Sequence, residues 1–174
     1  MADARTINLL GAFVTGLSDQ LNRRIEEKTE VFGEVPAALV AIAYNEGRTV
    51  DYLSKTLTLS HSWTVRVVEK LEKEGLVEKR TGMDKRAVAL FVTTQGGKKV
   101  KGIVRARREF LDGILAALPV KEHKQLASML ERMLEISTTD YYSGEAICKL
   151  CEVDACPQGR CPVAASQQAA APTA

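Results

Sequence analysis

Apolar residues recur every three or four positions in the first part of the chain, and this spacing predicts a long amphipathic helix from about Thr6 to Thr29. A second apolar run opens at Val35-Pro36, where proline favours the first turn of a helix, and it ends near Gly47. The stripe of the first helix consists of Leu9, Leu10, Phe13, Val14, Leu17, Leu21 and Ile25.

The next segment has the pattern of two helices joined by a short turn. Thr49 is placed to cap a third helix, and Ser60 to cap a fourth that stops at Gly75. Trp63 in the fourth helix is interpreted as packing against the third helix rather than contacting a base. Helix phase places the fourth helix's inward face at Thr64, Val67, Val68 and Leu71.

Two short β-prone runs follow, Leu76–Lys79 and Ala87–Thr93, and they predict a hairpin. Its turn is basic, with Asp84 as the one acid among the charged residues. A helix-turn-helix followed by a basic hairpin has the outline of a recognition helix with a wing. The basic residues assigned to the turn are Lys79, Arg80, Lys85 and Arg86.

The remaining helices are also long and amphipathic. Thr94 is expected to cap one of them, and Pro119 to break it and start the last helix, which runs through Ile136. Long helices at both ends carry more apolar surface than one winged domain can cover, so we expect a homodimer. An intramolecular bundle without a partner is the alternative.

Charge is distributed unevenly along the 174 residues, although the net charge is only +2. Fourteen Lys and Arg accompany five acids between Lys55 and Arg108, so the flanks are acidic. This distribution is typical of a surface that binds a polyanion, while a solvated charged face is the alternative. The hydrophobic fraction of 45% is ordinary for a folded domain.

The N-terminal segment has no pattern of a secretory signal, and no run reaches the roughly 18 apolar residues of a membrane span. We therefore expect a cytoplasmic protein. The sequence shows no nucleophile paired with a base, no phosphate loop and no paired carboxylates, so an enzyme is not expected.

DNA contacts are predicted on the outward face and N-terminal end of the fourth helix. Arg66 can pair bidentately with guanine, and Val65 can pack on a thymine methyl group. In the wing, Arg86 is the candidate for entering a minor groove, and Asp84 is expected to orient Arg86 or Arg80. The predicted DNA-binding residues are Ser60, His61, Ser62, Val65, Arg66, Arg80, Lys85 and Arg86, with Lys55 and Lys79 as further backbone contacts.

All four cysteines, Cys148, Cys151, Cys156 and Cys161, lie in one C-terminal stretch. In a reducing compartment such a cluster suggests metal or redox chemistry. The spacing is compatible with a Cys₄ zinc site, an iron–sulfur cluster, reversible disulfides or an inert flexible tail. We take residues 139–163 as a Cys-rich tail and residues 164–174 as disordered.

Several motifs together resemble the MarR family of bacterial winged helix-turn-helix regulators. They are Leu59-Ser60, the run from Leu71 to Val77, Asp84-Lys85-Arg86 and the run from Thr93 to Gly96. The similarity covers roughly residues 6–138. It implies a mainly α (α+β) fold: a DNA-binding lobe at about 35–96, and dimerisation helices at about 6–30 and 95–138.

The resemblance also implies a function: a homodimer on a palindromic promoter site, released from double-stranded DNA by a small effector. Phenolic or aromatic carboxylate effectors and a catabolic operon are the expectation by analogy, and DNA binding itself needs no cofactor. A metal or redox sensor that uses the four-cysteine tail is the alternative. Tyr44, Asn45, Arg23 and Arg24 are candidates for an anion pocket.

The chain departs from the family pattern in the fourth helix. Thr64 stands where members commonly have an apolar residue, and Val65 where they commonly have Ser or Thr. The predicted base contacts of this helix are therefore less defined than the role of the wing.

Overall fold

The computed structural model describes residues 2–81, 88–156 and 161–169. Within these ranges the chain is mainly helical, with one antiparallel two-stranded sheet, as the sequence predicts. No helix in the described ranges is long and apolar enough to cross a membrane. The elements are α1 (Ala4–Thr29), α2 (Val35–Tyr44), α3 (Val50–Leu57), α4 (His61–Lys73), β1 (Val77–Thr81), β2 (Val88–Val92), α5 (Thr94–Leu115), α6 (Val120–Ser137), α7 (Tyr141–Cys148), a 3₁₀ turn (Val153–Ala155) and α8 (Pro162–Ala169).

Helix α2 forms the centre of the core. Every residue from Val35 to Ile42 is buried, because α2 touches α3, α4, α5 and the second strand. A helix that is apolar on all sides has to be enclosed in this way. The inward residues of α3 and α4, among them Leu53, Leu57 and Leu71, complete the same cluster.

The helix-turn-helix is held by two caps that the sequence predicts. The Thr49 hydroxyl accepts a hydrogen bond from the Tyr52 backbone N–H, and the Ser60 hydroxyl accepts one from that of Trp63, both at 3.3 Å. Each cap satisfies a backbone donor that a helix start leaves unpaired. Between them, Thr58 takes a left-handed conformation with φ 55°, which ends α3 and turns the chain into α4.

The junction between the wing and α5 differs from the prediction by one residue. Thr93, not Thr94, is the cap, because its hydroxyl oxygen accepts from the Gly96 N–H at 3.0 Å. The Thr93 hydroxyl in turn donates to the Gly75 carbonyl at 2.7 Å, an interaction that the position of Thr94 does not offer. A Cβ added at Gly96 would lie 2.0 Å from the Leu76 carbonyl oxygen, so strand and helix meet here only through a glycine.

Helix α5 joins the DNA-binding lobe to the rest of the molecule. It is buried through Val100, Ile103, Val104 and Ala106, and α1 packs along it. The part of α5 after Ala106, the first half of α1 and all of α6 have no fully buried residue. The long helices therefore project from the core with their apolar residues uncovered.

The C-terminal segment is more ordered than the sequence suggests. Helix α7 packs on α3, and α8 packs on α6 and α7. The expected disorder from Ala164 onward is wrong for residues 164–169, which lie in α8. Val163, only 2% exposed, supplies the apolar anchor that the sequence reading missed.

Candidate nucleic-acid interface

The N-terminal end and outer face of α4 form an exposed polar surface. Ser60, His61, Ser62 and Arg66 are all exposed, and Val65 is half-buried. The opposite face, from Thr64 to Leu71, is buried as predicted. The first-turn N–H groups and the positive end of the helix dipole therefore lie beside side chains that can bond a phosphate or a base.

Trp63 lies at the edge of the buried face of α4. Its side chain remains 49% exposed, while Val67, four residues further along the helix, is buried. The exposed part of the indole adjoins the outer surface of α4. The packing of Trp63 against the third helix stays a prediction.

The wing strands pair in antiparallel register, from Val77 opposite Val92 to Thr81 opposite Val88. Lys79 and Arg80 lie within β1 rather than in the turn. Both have acidic partners: Lys79 Nζ lies 2.8 Å from Glu72 Oε2, and Arg80 pairs with Glu78. The Arg80 guanidinium also lies 4.5 Å from the centre of the Phe91 ring.

Asp84, Lys85 and Arg86 fall outside the described residues, so their predicted roles in the wing remain predictions. Arg80, a candidate partner of Asp84, is paired with Glu78. That pair is exposed, and exposed pairs contribute at most about 1 kcal/mol, so a phosphate can replace the acid without a large cost.

Helix α3 supports this surface and carries Lys55. The Lys55 ammonium lies 2.8 Å from Asp51 Oδ2 and 5.5 Å from the centre of the Tyr142 ring. The hydrogen bond and charge of Lys55 lower the pKa of Asp51. Lys55 is therefore an exposed cation held between its own helix and α7.

Tyr52 is the polar centre of the contact between α3 and α7. Its hydroxyl donates to Glu145 Oε2 at 2.8 Å and lies 3.3 Å from the Tyr141 hydroxyl. Asn45 Oδ1 lies 3.1 Å from the same hydroxyl, as an alternative acceptor for its one proton. Burial raises the pKa of Tyr52, and the bonds with Tyr141 and Glu145 raise it further, so the phenol stays protonated. The rings of Tyr52, Tyr141 and Tyr142 form tilted and edge-on pairs with centres 5.3–6.5 Å apart.

The cysteines of the tail form two pairs, Cys148 with Cys151 and Cys156 with Cys161, and Cys161 and Cys151 also raise the pKa values of Cys148 and Cys156 across the pairs. A hydrogen bond with Cys148 and the charge of Arg107 together lower the pKa of Cys151 to about 6, against the opposing effect of burial. The same bond, with burial, raises the pKa of Cys148. Burial and a bond to Cys161 raise the pKa of Cys156.

No group of three or more His, Cys, Asp or Glu residues is arranged to hold a metal ion in the described part of the chain. A tetrahedral zinc or an iron–sulfur cluster needs such a convergence of ligands. The described arrangement therefore does not support the predicted Cys₄ site, and the ligand roles of the four cysteines stay a prediction.

A cavity of about 470 Å³ lies between α2, α5 and the segment after α7. Its lining combines apolar residues with three cationic side chains and two acidic ones. Arg108 Nε donates to Glu152 Oε2 at 2.9 Å, and a second nitrogen of the same guanidinium pairs with the other oxygen. Of the predicted pocket residues, Tyr44 lines this cavity; Asn45, Arg23 and Arg24 are not among its described lining residues. The lining consists of Ala43, Tyr44, Gly97, Val100, Lys101, Val104, Arg105, Arg108, Glu152 and Asp154.

Apolar side chains on α1 and α6 remain uncovered in the single chain. They include Ile7, Leu9, Leu10, Phe13 and Val14 on α1, and Met129, Leu130, Met133 and Ile136 on α6. Leu9, Leu10 and Phe13 of the α1 stripe line an open groove together with Met133 of α6. Unlike scattered exposed apolar residues, a continuous surface of this kind is typical of an interface.

The sequence reading missed the docking of α7. Its signals were present: Asp140 and Ser143 form a capping box, and Tyr141-Tyr142 supplies aromatic anchors. Their partner Tyr52 is 89 residues away from Tyr141, so no local pattern joins them.

Comparison with known sequences places residues 35–87 in a match to the MarR family. An uncharacterised HTH-type transcriptional regulator, YwhA of Bacillus subtilis, is 26% identical over 56% of this chain and 71% of its own length. The HTH-type transcriptional regulator BilQ of Clostridium symbiosum is 28% identical over 55% of this chain and 67% of its own.

Solved structures show the same fold. MarR from E. coli without ligand has a TM-score of 0.62 at 21% identity, covering 72% of this chain and 96% of that one. A complex of S. aureus MepR with DNA has a TM-score of 0.58 at 20% identity, covering 71% and 95%. At these identities the likeness establishes the winged helix fold.

Proposed function

We propose that the chain acts as a DNA-binding transcriptional regulator of the MarR family rather than as an enzyme, in the cytoplasm and as a homodimer on a palindromic promoter site. One observation carries the proposal: the capped N-terminal end of α4 is exposed, and the β1–β2 wing follows the same helix and packs against it. In this arrangement α4 enters the major groove and the wing follows the backbone. The double-stranded DNA site then has two half-sites related by the dimer axis.

The predicted contacts divide into two classes. Arg66 and Val65 read bases, while Ser60, His61 and Ser62 bond bases or phosphates at the helix start. The wing cations supply affinity, with Arg86 in the minor groove and Asp84 orienting it. Arg80 and Lys85 complete the proposed set, and the exposed Trp63 adds a contact that the sequence reading did not include.

Dimerisation is proposed through the apolar groove of α1 and α6. A second copy is the natural occupant, because the groove is self-complementary in composition and both stripes belong to the long terminal helices. Dimerisation by these helices also sets the distance between the two copies of α4. We propose a DNA-binding lobe at about 35–96 and dimerisation helices at about 6–30 and 95–138.

A small anionic effector is proposed to bind the cavity between α2 and α5. Its volume of about 470 Å³ suits a small organic molecule, and its apolar lining residues beside Lys101 and Arg105 suit an aromatic or phenolic acid, which would compete with Glu152 for Arg108. Since α5 joins the two lobes, a ligand wedged there would change the spacing of the recognition helices. A catabolic operon for aromatic compounds is the proposed target by analogy.

An alternative is that the four-cysteine tail is the input, as a metal or redox sensor. The docking of α7 on α3 supports this alternative, because it joins Cys148 to the helix-turn-helix. Metal analysis and an absorption spectrum of anaerobically purified protein test the metal form. Stoichiometric zinc or an iron–sulfur spectrum would favour it over the effector proposal if chelation also changed DNA affinity.

The test of DNA binding uses a duplex enriched from a random pool by the purified protein. Arg66→Ala is expected to cost about 1–3 kcal/mol of binding free energy, and to relax base preference at one position of each half-site. Fluorescence anisotropy gives the Kd, and a panel of single-base variants gives the preference.

Arg132→Ala is the matched control, because Arg132 is an exposed arginine on α6, away from α4 and the wing. It should leave both the Kd and the base preference unchanged. Failure of the protein to enrich any duplex, or equal losses for the two variants, would overturn the assignment of α4 as the reading helix.

A further inference from the structure

The first thiol pair lies in a tight turn at the end of α7. Cys148 is the last residue of the helix, and the Cys151 N–H donates to the Cys148 carbonyl at 2.8 Å. An i to i+3 backbone bond of this kind holds the two Cα atoms within about 7 Å, a separation that a disulfide can bridge. A disulfide needs two thiols that approach each other, whereas a metal cage needs three or four converging donors, and the described residues offer no such group.

The same helix carries the contact with the DNA-reading unit. Glu145 lies three residues before Cys148, so the two residues share one face of α7. The Glu145 carboxylate accepts the hydrogen bond of the buried Tyr52 hydroxyl on α3, and Tyr142 lies beneath the Lys55 ammonium. One helical turn therefore separates the thiol pair from the helix that supports α4.

We propose that Cys148 and Cys151 form a peroxide-sensitive dithiol whose oxidation loosens the Glu145–Tyr52 contact and lowers the affinity for operator DNA. The proposal rests on the proposed operator binding and specifies its regulation. A sulfur–sulfur bond of about 2 Å draws the two atoms far closer than a thiol hydrogen bond does. The last turn of α7 has to move to allow this, and Glu145 moves with it.

The chemistry balances with a hydroperoxide as the oxidant. The thiolate of one cysteine attacks the terminal oxygen of the peroxide; the O–O bond breaks, and the released alkoxide takes a proton to leave as an alcohol, or as water from hydrogen peroxide. The resulting sulfenic acid is attacked by the second thiol. The S–S bond forms, the S–O bond breaks and water leaves, so two thiols are oxidised as one peroxide is reduced.

The test uses the full-length protein and a duplex enriched from a random pool by its reduced form. On addition of hydrogen peroxide, the wild type should lose about 2 Da by mass spectrometry, as two hydrogens leave. Its Kd should rise about tenfold and return with dithiothreitol. Cys148→Ser should show neither the internal disulfide at this pair nor the change in Kd.

Two further variants separate the thiol chemistry from its transmission. Tyr52→Phe and Glu145→Ala should still form the disulfide, but their Kd should change less than about threefold on oxidation, since the connecting hydrogen bond is gone. Cys156→Ser, at an exposed cysteine of the other pair, should respond as the wild type does. Circular dichroism confirms that each variant is folded.

Four results would overturn the proposal: a disulfide in the wild type without a change in Kd, a full response in both Tyr52→Phe and Glu145→Ala, loss of the response in Cys156→Ser, or bound metal that prevents the disulfide. Failure of the proposed function gives a different result, because the reduced protein would then enrich no duplex at all. Disulfide formation would still be measurable by mass in that case.

Discussion

Thr56 is a residue of the helix-turn-helix whose buried hydroxyl makes no hydrogen bond with the described residues. Its side chain is 1% exposed, and its hydroxyl has no hydrogen-bond partner among the described atoms. Thr29, also buried, differs because its hydroxyl donates to the Ile25 carbonyl at 2.7 Å. An unpaired buried hydroxyl costs free energy, whereas a paired one contributes about 1 kcal/mol.

Thr56→Val should therefore raise the free energy of unfolding by about 1 kcal/mol, since it removes the unpaired hydroxyl and keeps the volume. Thr29→Val is the control, and it should lower that free energy by about the same amount. Urea titrations followed by circular dichroism measure both. Equal destabilisation by the two substitutions would mean that Thr56 has a partner, such as a bound water in the small cavity that it lines.

Cys151 is set apart from the other tail cysteines by its pKa of about 6. Above that pH it is largely a thiolate, while the raised pKa of the exposed Cys156 keeps that residue protonated at neutral pH. At pH 7, iodoacetamide should therefore modify Cys151 about fivefold faster than Cys156, even after the lower intrinsic reactivity of an acidic thiol is considered.

Cys148→Ala removes the hydrogen-bond donor, so the pKa of Cys151 should rise and its reaction at pH 7 should slow. Tandem mass spectrometry over a range of pH locates and times each modification. If Cys151 instead reacts at the pace of Cys156 throughout, the described thiol pair does not exist in solution.

At the scale of elements, the joint between the wing and α5 depends on Gly96. A side chain there would meet the Leu76 carbonyl oxygen, whereas one at the neighbouring Gly97 would meet nothing within 4 Å. Both glycines lie in the first turn of the same helix, so they differ mainly in this contact.

Gly96→Ala should destabilise the fold by about 1–3 kcal/mol, because backbone has to move to admit the methyl group. Gly97→Ala should be neutral or stabilising by up to about 1 kcal/mol, as expected for alanine in place of glycine in a helix. Thermal unfolding of both variants compares them directly. Similar melting temperatures would show that the Leu76 carbonyl lies farther from Gly96 than it does in this structure.

The elements most accurately predicted from sequence are those fixed by neighbours along the chain. The caps at Thr49 and Ser60 follow from side chains that lie three residues before the donors they satisfy. The cap of α5 was misplaced by one residue because Thr93 and Thr94 are chemically equivalent in sequence. The hydrogen bond from the Thr93 hydroxyl to the carbonyl of Gly75, which follows α4, distinguishes Thr93 from Thr94.

Contacts between distant segments could not be predicted in this way. Trp63 has the size of a core residue, yet half of its side chain is exposed. The neighbouring Thr64 faces inward instead, at 0% exposure. The tail was expected to end in disorder, because its composition offers few apolar residues. Val163 and the tyrosines of α7 suffice once α3 and α6 provide surfaces to receive them.

At the scale of the whole molecule, the uncovered stripes of α1 and α6 should decide the oligomeric state. Leu10→Glu places a charge in the proposed interface, so it should yield monomers at micromolar concentration. Since two half-sites are bound together only by a dimer, operator affinity should fall by about 10²–10⁴. Analytical ultracentrifugation and fluorescence anisotropy measure the two effects.

Gln20→Glu is the matched control, because it adds the same charge to an exposed position of α1 outside the stripe. It should remain dimeric and bind DNA as the wild type does. A dimeric Leu10→Glu protein would place the interface elsewhere.

The docking of α7 on α3 occurs within one chain, so each half of the proposed dimer carries its own sensor beside its own reader. Partial oxidation then produces hybrid dimers in which the reduced half still binds DNA and the oxidised half does not. When half of the chains are reduced, only about a quarter of randomly assembled dimers have two competent readers, and the hybrids lose the advantage of bivalent binding. Promoter occupancy would therefore fall with the square of the reduced fraction, which makes the response to oxidant steeper than the chemistry of a single thiol pair.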